Sequence, residues 1–180
     1  EPLLYALGVD AIYSDHFELS DLLIDLGASV NTPEDGIGIP PLLVAIYWNQ
    51  VPMLEFLLDR GANPNLRWHH FELVFGEQQV IDEWERMRID YNRLPPLLIA
   101  MRSGPTEMVE LLLDAGAVPD ARSVNGRTAL MLAAAKGDIE IVELLLDSGS
   151  DLSARDHFGL TPLVYAAVFS RGTAVDLLLL

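Results

Sequence analysis

The sequence predicts an all-α fold, a solenoid of about five stacked helix–turn–helix units joined by short hairpin loops. Three observations support this fold class. Segments of one form recur with a period of about 33 residues, an apolar stripe of helical spacing lies within each recurrence, and a glycine closes it. Helices this short are marginal alone and cannot bury their own apolar faces, so the units must stack and share one elongated core.

The repeat is clearest in the second half of the chain. The segment Leu111–Gly116 recurs as Leu144–Gly149, one period later, and similar segments that end at Gly27 and Gly61 are also about one period apart. The interval from Gly61 to Gly116 exceeds one period by about 22 residues. We therefore predict a 22-residue insertion between the second and third units.

Five units and one insertion account for the whole chain, with hairpins near residues 36, 91, 125 and 158. The units cover about residues 1–36, 37–66, 92–125, 126–158 and 159–180, and the insertion lies within residues 67–91. The last unit stops inside its second predicted helix, with Leu177, Leu178 and Leu179 on the core stripe. Because the chain also opens without a methionine, we interpret it as an excised piece of a longer protein.

Each unit is predicted to hold two amphipathic helices of about ten residues. In the fourth unit, Leu130, Ala133 and Ala134 share one face of the first helix, and Gly137 ends it. A second stripe begins at Ile139, and Gly149 follows that stripe where a left-handed cap is expected. Solvent-side carboxylates are expected on the second helices, namely Glu55, Asp59, Glu107, Glu110, Glu140 and Glu143.

The insertion is predicted to carry a helix of its own from Glu77 to Ile89. Val80, Trp84 and Met87 fall on one face of that helix. An aromatic cluster precedes it, formed by Trp68, Phe71 and Phe75. Two interpretations remain open: the segment packs its aromatic rings onto the neighbouring units, or it is a lid or docking element beside a binding face.

Composition and charge exclude several classes of function. Apolar residues make up 51% of the 180 residues, so the chain can bury a core. Its net charge of −16 opposes binding to nucleic acid or to an anionic membrane. The chain has no cysteine, which excludes disulfides, cysteine-based zinc sites and thiol nucleophiles. The lack of cysteine and of a signal peptide favours an intracellular location, in cytoplasm or nucleus.

The units resemble ankyrin repeats. The resemblance rests on Gly126–Ala134 (GRTALMLAA) with the following Gly137–Val142, and on Asp156–Leu163 (DHFGLTPL). Two further units carry Pro-Pro-Leu where the family has Thr-Pro-Leu. One departure is consistent: the family commonly has a histidine three residues after the threonine, and hydrogen bonds between the two hold the hairpin. Here that position holds Leu43, Leu98, Met131 or Val164.

The resemblance implies a non-catalytic protein-interaction module that needs no cofactor. Ankyrin proteins bind partners with the hairpin tips and with the exposed side of each unit's first helix, which together form the concave face. Carried over to this chain, the predicted partner-binding residues are Tyr13, Tyr47, Trp48, Tyr91, Arg102, Arg127, Lys136, Phe158 and Phe169. This set is aromatic and mildly basic, so we expect a partner segment with apolar anchors and a few acidic residues, held by Arg102, Arg127 and Lys136.

Two other functions stay open at this stage. The chain could be an intramolecular regulatory arm of a larger multidomain protein, docked on a sister domain. It could instead bind a small molecule or catalyse a reaction in a pocket that the insertion closes over Trp48 and Tyr91. The sequence contains no phosphate-binding glycine loop, serine elbow or His-Glu-x-x-His motif, and it predicts no metal site and no enzyme activity.

Overall fold

The computed structural model describes residues 17–31, 40–67, 93–169 and 172–179, and within them all side chains except those of Arg102 and Ser103. Nine helices lie in these ranges. They are α1 (Glu18–Asp25), α2 (Pro41–Tyr47), α3 (Val51–Asp59), α4 (Pro96–Ser103), α5 (Thr106–Asp114), α6 (Ala129–Lys136), α7 (Ile139–Asp147), α8 (Pro162–Val168) and α9 (Gly172–Leu178).

The helices form two parallel rows, which confirms the predicted solenoid. The first helices of successive units, α2, α4, α6 and α8, pack one against the next and form the inner row. The second helices α3, α5, α7 and α9 do the same, and with α1 they form the outer row. Each inner helix also packs against the outer helix that follows it, so every unit contributes to one continuous core.

The units on either side of the predicted insertion are direct neighbours in the stack. Helix α2 contacts α4, and α3 contacts α5. Apart from Arg67, the predicted insertion lies outside the described residues, including its predicted helix Glu77–Ile89 and its aromatic cluster. Its boundaries therefore remain a prediction.

Local sequence explains where the helices start and stop. Three inner helices begin with a proline as their first residue, Pro41, Pro96 and Pro162, where the missing N–H breaks no intrahelical hydrogen bond. The helices are seven to nine residues long, shorter than the predicted ten. The expected left-handed glycine is confirmed after α7, where Gly149 has a φ of 87°.

Burial differs sharply between the two rows. In α6 of the inner row, every residue from Ala129 to Ala135 is buried. In α7 of the outer row, only Ile141, Val142 and Leu145 are buried. The six carboxylates expected on the solvent side of the outer helices are all exposed, as predicted: Glu55, Asp59, Glu107, Glu110, Glu140 and Glu143.

The end of the last unit corrects one prediction. Leu177 and Leu178 are partly buried and pack against the core, as the predicted core stripe requires. Leu179, placed on the same stripe, is 66% exposed. The reason is that α9 ends at Leu178, so Leu179 lies in the turn that follows and leaves the buried face.

Side chains from the loops after the outer helices bind the main chain of the next unit, and we call these contacts loop staples. Asn31 accepts a hydrogen bond from the Asn63 N–H at 2.8 Å and donates to the Gly61 carbonyl at 3.3 Å. Asn65 repeats this pattern with the Val118 N–H at 2.8 Å and the Gly116 carbonyl at 2.9 Å.

At the next boundary the staple residue is an aspartate. Both Asp120 carboxylate oxygens lie 3.2 Å from the Asp151 N–H. A carboxylate has no hydrogen to donate, so this staple accepts only. The three staple residues stand four positions after Gly27, Gly61 and Gly116, which makes them a property of the repeat.

In the fourth unit, the threonine that the family pairs with histidine is present, but its histidine partner is replaced by methionine. Thr128 is fully buried, and its hydroxyl oxygen has no hydrogen-bond partner within the described part of the chain. Met131, three residues later, is also fully buried and offers only a thioether. Apolar packing therefore holds this hairpin to its helix.

Candidate functional site

Charge is separated completely between the two rows of helices. The inner helices α2, α4, α6 and α8 contain no Asp or Glu, and the outer helices α1, α3, α5, α7 and α9 contain no Lys or Arg. Four outer helices also end on an aspartate: Asp25, Asp59, Asp114 and Asp147. The surface negative charge of the described helices therefore belongs to the outer row.

A pair of aromatic rings marks the C-terminal end of the inner helix α2. The ring planes of Tyr47 and Trp48 are perpendicular, with centroids 5.3 Å apart, an edge-to-face arrangement. Tyr47 is half-buried, while Trp48 remains 52% exposed. Tyr47 thus supports Trp48, and the indole presents a fixed apolar surface.

Lys136 and Phe169 occupy the positions in later units that correspond to Trp48. Lys136 is the last residue of α6, and its ammonium donates a hydrogen bond to the Met101 carbonyl of the preceding unit. Phe169 follows α8, is half-buried and packs against the core. The three residues therefore lie in one line along the stack, with the largest exposed ring at Trp48.

Arg127 differs from its predicted role as a partner-facing cation. Only 9% of the residue is exposed. Its Nε–H donates to the Tyr165 hydroxyl at 2.7 Å, and its guanidinium carbon lies 5.8 Å from the centre of the Tyr165 ring. Arg127 therefore fixes the hairpin against α8, and we do not propose it as a partner contact.

Tyr165 links this arginine to a carboxylate. Its hydroxyl donates to Asp156 Oδ2 at 2.8 Å while it accepts from Arg127. Burial and the hydrogen bond to Asp156 raise the pKa of Tyr165 to about 12, although the positive charge of Arg127 acts in the opposite direction. Tyr165 is therefore neutral at physiological pH and serves as a structural hydrogen-bonding centre.

Phe158 stands at the tip of the hairpin that this network supports. It is 71% exposed, the largest exposed fraction of any described aromatic side chain. Asp156 Oδ1 accepts hydrogen bonds from the Phe158 N–H at 2.9 Å and the Leu160 N–H at 2.8 Å. One buried carboxylate thus fixes the turn and directs Phe158 towards solvent.

The side chains of three predicted site residues lie outside the described part of the chain. Tyr13 and Tyr91 lie outside the described residues, and Arg102 belongs to α4 with its side chain outside them. Five predicted contacts thus remain with a described side chain on the inner or hairpin side: Tyr47, Trp48, Lys136, Phe158 and Phe169.

The sequence analysis missed a row of arginines, which we call the arginine row: Arg67, Arg122 and Arg155. Each stands six residues after the glycine that follows an outer helix, a periodicity visible in the sequence. Arg67 Nη1 donates to the Arg122 carbonyl at 3.2 Å, and Arg122 Nη1 donates to the Arg155 carbonyl at 2.7 Å. All three side chains are exposed, so the row adds positive charge at the bases of the hairpins.

Two other features are absent from the described ranges, a metal-binding cluster and a membrane-spanning helix. No group of three or more His, Asp or Glu side chains there is arranged to hold a metal ion. No helix there is both long and apolar enough to pass through a bilayer.

Comparison with protein families matches nearly all of the chain. A family model described as ankyrin repeats in three copies matches residues 73–156 and 97–180, and one described as ankyrin repeats in many copies matches residues 9–69. The first of these matches begins inside the predicted insertion.

Two curated proteins are similar over shorter stretches. The human transient receptor potential cation channel subfamily A member 1 is 31% identical over 97 residues, which is 53% of this chain and 7% of the channel. A putative ankyrin repeat protein of Borreliella burgdorferi is 40% identical over 53 residues, 29% of this chain and 24% of that protein. The chain thus spans less than a quarter of the length of either relative. The family matches, together with the two rows of stacked helices, show that this chain belongs to the ankyrin-repeat family.

Proposed function

We propose that this chain is a non-catalytic interaction module that binds a protein or peptide partner on the inner-row and hairpin side of its stack. Ankyrin repeats are a general protein-interaction module, which supports the class of function but names no partner. The observation that carries the proposal is the separation of charge: the inner helices bear no carboxylate although the chain has a net charge of −16.

Exposed aromatic surface on that side supports the same assignment. Trp48 and Phe158 are 52% and 71% exposed. The Tyr47 ring packs edge-to-face against Trp48, and Asp156 fixes the main chain at Phe158. Large apolar side chains on a soluble surface are the residue types that dominate binding energies, and a fixed conformation reduces the entropy lost on binding. The outer helices α3, α5 and α7 expose carboxylates, whereas α1 exposes two leucines beside its carboxylates, Leu19 and Leu22.

Photo-crosslinking tests the proposed face directly. A benzophenone amino acid is placed at Trp48 in one variant and at Glu110 of the outer row in a matched control, and each purified protein is irradiated in extract from the cells that produce it. We expect a discrete crosslinked partner at Trp48 that is absent at Glu110. A partner crosslinked at Glu110 alone assigns binding to the outer row and rejects the proposal.

Substitutions then measure the contribution of individual residues. Trp48→Ala and Arg102→Glu are expected to weaken binding of the identified partner by about tenfold or more, because Trp48 follows the inner helix α2 and Arg102 belongs to the inner helix α4. Glu110→Gln is the control, since it removes a charge from the outer row. If neither inner-side variant weakens binding, the assignment of the concave face is wrong.

One finding favours a second candidate, an intramolecular regulatory arm. The human channel matches this chain over 7% of its own length, so in that relative the similar segment is a small part of a much larger polypeptide. In such a setting the same inner face would dock on a sister domain. Crosslinking at Trp48 within the full-length protein would then give an intramolecular product rather than a second chain.

A further inference from the structure

Two neighbouring hairpins near the C-terminal end are joined into one rigid element, which we call the double hairpin: residues 122–127 and 155–160. The His157 N–H donates to the Asn125 carbonyl at 3.1 Å. Arg122 Nη1 lies between the hairpins and donates to the Gly126 carbonyl at 2.9 Å and to the Arg155 carbonyl at 2.7 Å. These bonds tie the two loops together at the main chain.

Close packing at Gly126 tightens the same element. Its φ is 79°, and a Cβ atom there would lie 2.6 Å from Cδ2 of His157. Glycine therefore serves both the left-handed backbone and the contact with the imidazole. Together with the bonds of Asp156 and Tyr165 described above, this packing makes the double hairpin a preformed surface.

The exposed side chains of the double hairpin combine apolar and positively charged groups. Val124 is 46% exposed and Phe158 is 71% exposed, while Arg122 and Arg155 are exposed at the bases of the two hairpins. Among the described residues, the Arg155 side chain makes no hydrogen bond or ion pair, so its guanidinium is available to a ligand.

The double hairpin itself carries little negative charge, although Asp120 and Asp151 lie in the loops that precede its two arms. Residues 121–137 contain no Asp or Glu, and residues 152–175 contain one, Asp156. Asp156 is 6% exposed, and both of its carboxylate oxygens accept hydrogen bonds. No exposed carboxylate therefore neutralises the guanidinium groups within either stretch.

We propose that the double hairpin is the docking site for an acidic peptide segment that carries an apolar anchor residue. The anchor packs against Phe158 and Val124, and flanking Asp or Glu side chains pair with the guanidinium groups of Arg122 and Arg155. Arginine suits this role because its planar fork binds carboxylates in a bidentate manner. This inference rests on the proposed function and adds the place and the chemistry of the partner.

The overall charge of the chain does not prevent such a contact. Screening lengths are about 8 Å at physiological ionic strength, and packed helix axes are themselves about 8–10 Å apart. The outer helices are one packed layer away from the inner row, so screening weakens the effect of their exposed carboxylates on the bound peptide. Local pairing therefore decides the bound state, whereas a nucleic acid would extend its phosphates into the wider negative field.

A selection from random peptides tests the proposed chemistry of the partner. The folded 180-residue chain is immobilised and used to select from a phage library of random twelve-residue peptides. We expect enriched sequences in which Asp or Glu flanks an aromatic or aliphatic residue. A synthetic copy of one enriched peptide is then titrated by fluorescence anisotropy against the protein and its variants.

Matched variants locate the binding site on the double hairpin. Phe158→Ala and Arg155→Glu are each expected to lower the affinity for the peptide by about tenfold or more. Leu152→Ala removes an exposed apolar side chain outside the double hairpin. Arg60→Gln removes a positive charge from the second unit, where Arg60 pairs with Asp21. Both variants should bind the peptide with an affinity within about twofold of the wild type. Circular dichroism of each variant verifies that the helices are intact.

The outcomes separate this inference from the proposed function. Enrichment of basic or uncharged peptides, or an affinity unchanged by Phe158→Ala, overturns the inference. If only Trp48→Ala lowers the affinity for the selected peptides, the peptides bind the inner face. The proposed function then stands, and only the double hairpin is rejected as the docking site. If binding of the selected peptides is weakened only by Glu110→Lys, the site lies on the outer row, and both the inference and the proposed function fail. If no peptide is enriched, the inference fails, and the crosslinking at Trp48 still decides the proposed function.

Discussion

Helices α6 and α7 belong to one unit and pack against each other, yet their environments are opposite. All residues from Ala129 to Ala135 of α6 are buried, and α6 has no carboxylate. Helix α7 buries three residues and exposes Glu140, Glu143 and Asp147. The inner row therefore supplies most of the apolar burial. The outer row keeps the surface charged, although an aspartate at a helix C-terminus is electrostatically unfavourable.

The largest effect on stability is expected when one leucine from each row is replaced and the two losses are compared. Leu130 in the inner row is fully buried, and Leu146 in the outer row is half-buried. Leu130→Ala should lower the free energy of unfolding by about 3 kcal/mol, through lost burial and a residual cavity, and Leu146→Ala by about 1 kcal/mol. Urea unfolding followed by circular dichroism measures both, and equal losses would contradict the assignment of stability to the inner row.

A second test uses the buried hydroxyl of Tyr165 in the inner row. Its folded pKa of about 12 exceeds the value near 10 of an unfolded tyrosine, so its contribution is complete below pH 10 and is lost as the pH rises to 12. Over that interval the wild-type chain should lose about 2 kcal/mol more stability than Tyr165→Phe. Urea midpoints at pH 9, 10, 11 and 12 give the comparison, and parallel curves would show that Tyr165 does not titrate in this way.

The unpaired hydroxyl of Thr128 tests the inner row in the stabilising direction. Thr128→Val keeps the branched shape and removes a buried oxygen that has no partner among the described residues. We expect the free energy of unfolding to rise by about 1 kcal/mol, because the desolvated hydroxyl no longer has to be buried. Thermal melting of the two proteins measures the change. A lower melting temperature would indicate that an ordered water satisfies this hydroxyl.

The smallest expected effects come from the two ends of α7. Asp138 caps its N-terminus and accepts from the Ile141 N–H at 3.3 Å, whereas Asp147 is its last residue. Asp138→Ala should cost about 1 kcal/mol through the lost cap, and Asp147→Ala should stabilise by about 0.5 kcal/mol because an anion at a helix C-terminus is unfavourable.

The same substitution thus has opposite signs at the two ends of one helix. Thermal melts at low and high salt separate the causes, since the gain at Asp147 is electrostatic and should shrink as salt is added. A loss of stability in both variants would refute the electrostatic account of the outer row.

Sequence periodicity predicts the architecture but not the polar contacts between units. The constant offset between successive units is sufficient to predict the stacking of helix pairs, because apolar stripes with that period have no other way to be buried. The placement of the outer carboxylates follows from the same periodicity and is confirmed. The loop staples of Asn31 and Asn65 were missed, although their fixed distance from a glycine was a usable signal.

The burial of Arg127 shows which property of a hairpin residue the family pattern does not specify. A hairpin position is exposed or buried according to its neighbours in the next unit, and here Tyr165 takes the guanidinium out of solvent. That pairing crosses from one unit to the next and depends on side-chain lengths, which periodicity does not specify. The exposure of Phe158 was predicted, but its support by Asp156 could be found only from the folded hairpin.

The staple at Asn65 has a consequence for how this chain tolerates changes in length. Its amide binds residues 51 and 53 positions away, and Arg67 binds the carbonyl of Arg122, so the stretch between Arg67 and Arg93 joins two units that already hold each other. Closing a flexible connection costs only about 0.6 kcal/mol for each doubling of its length. We therefore expect residues gained or deleted between Arg67 and Arg93 to cost little stability, because the contacts on both sides preserve the register of the units.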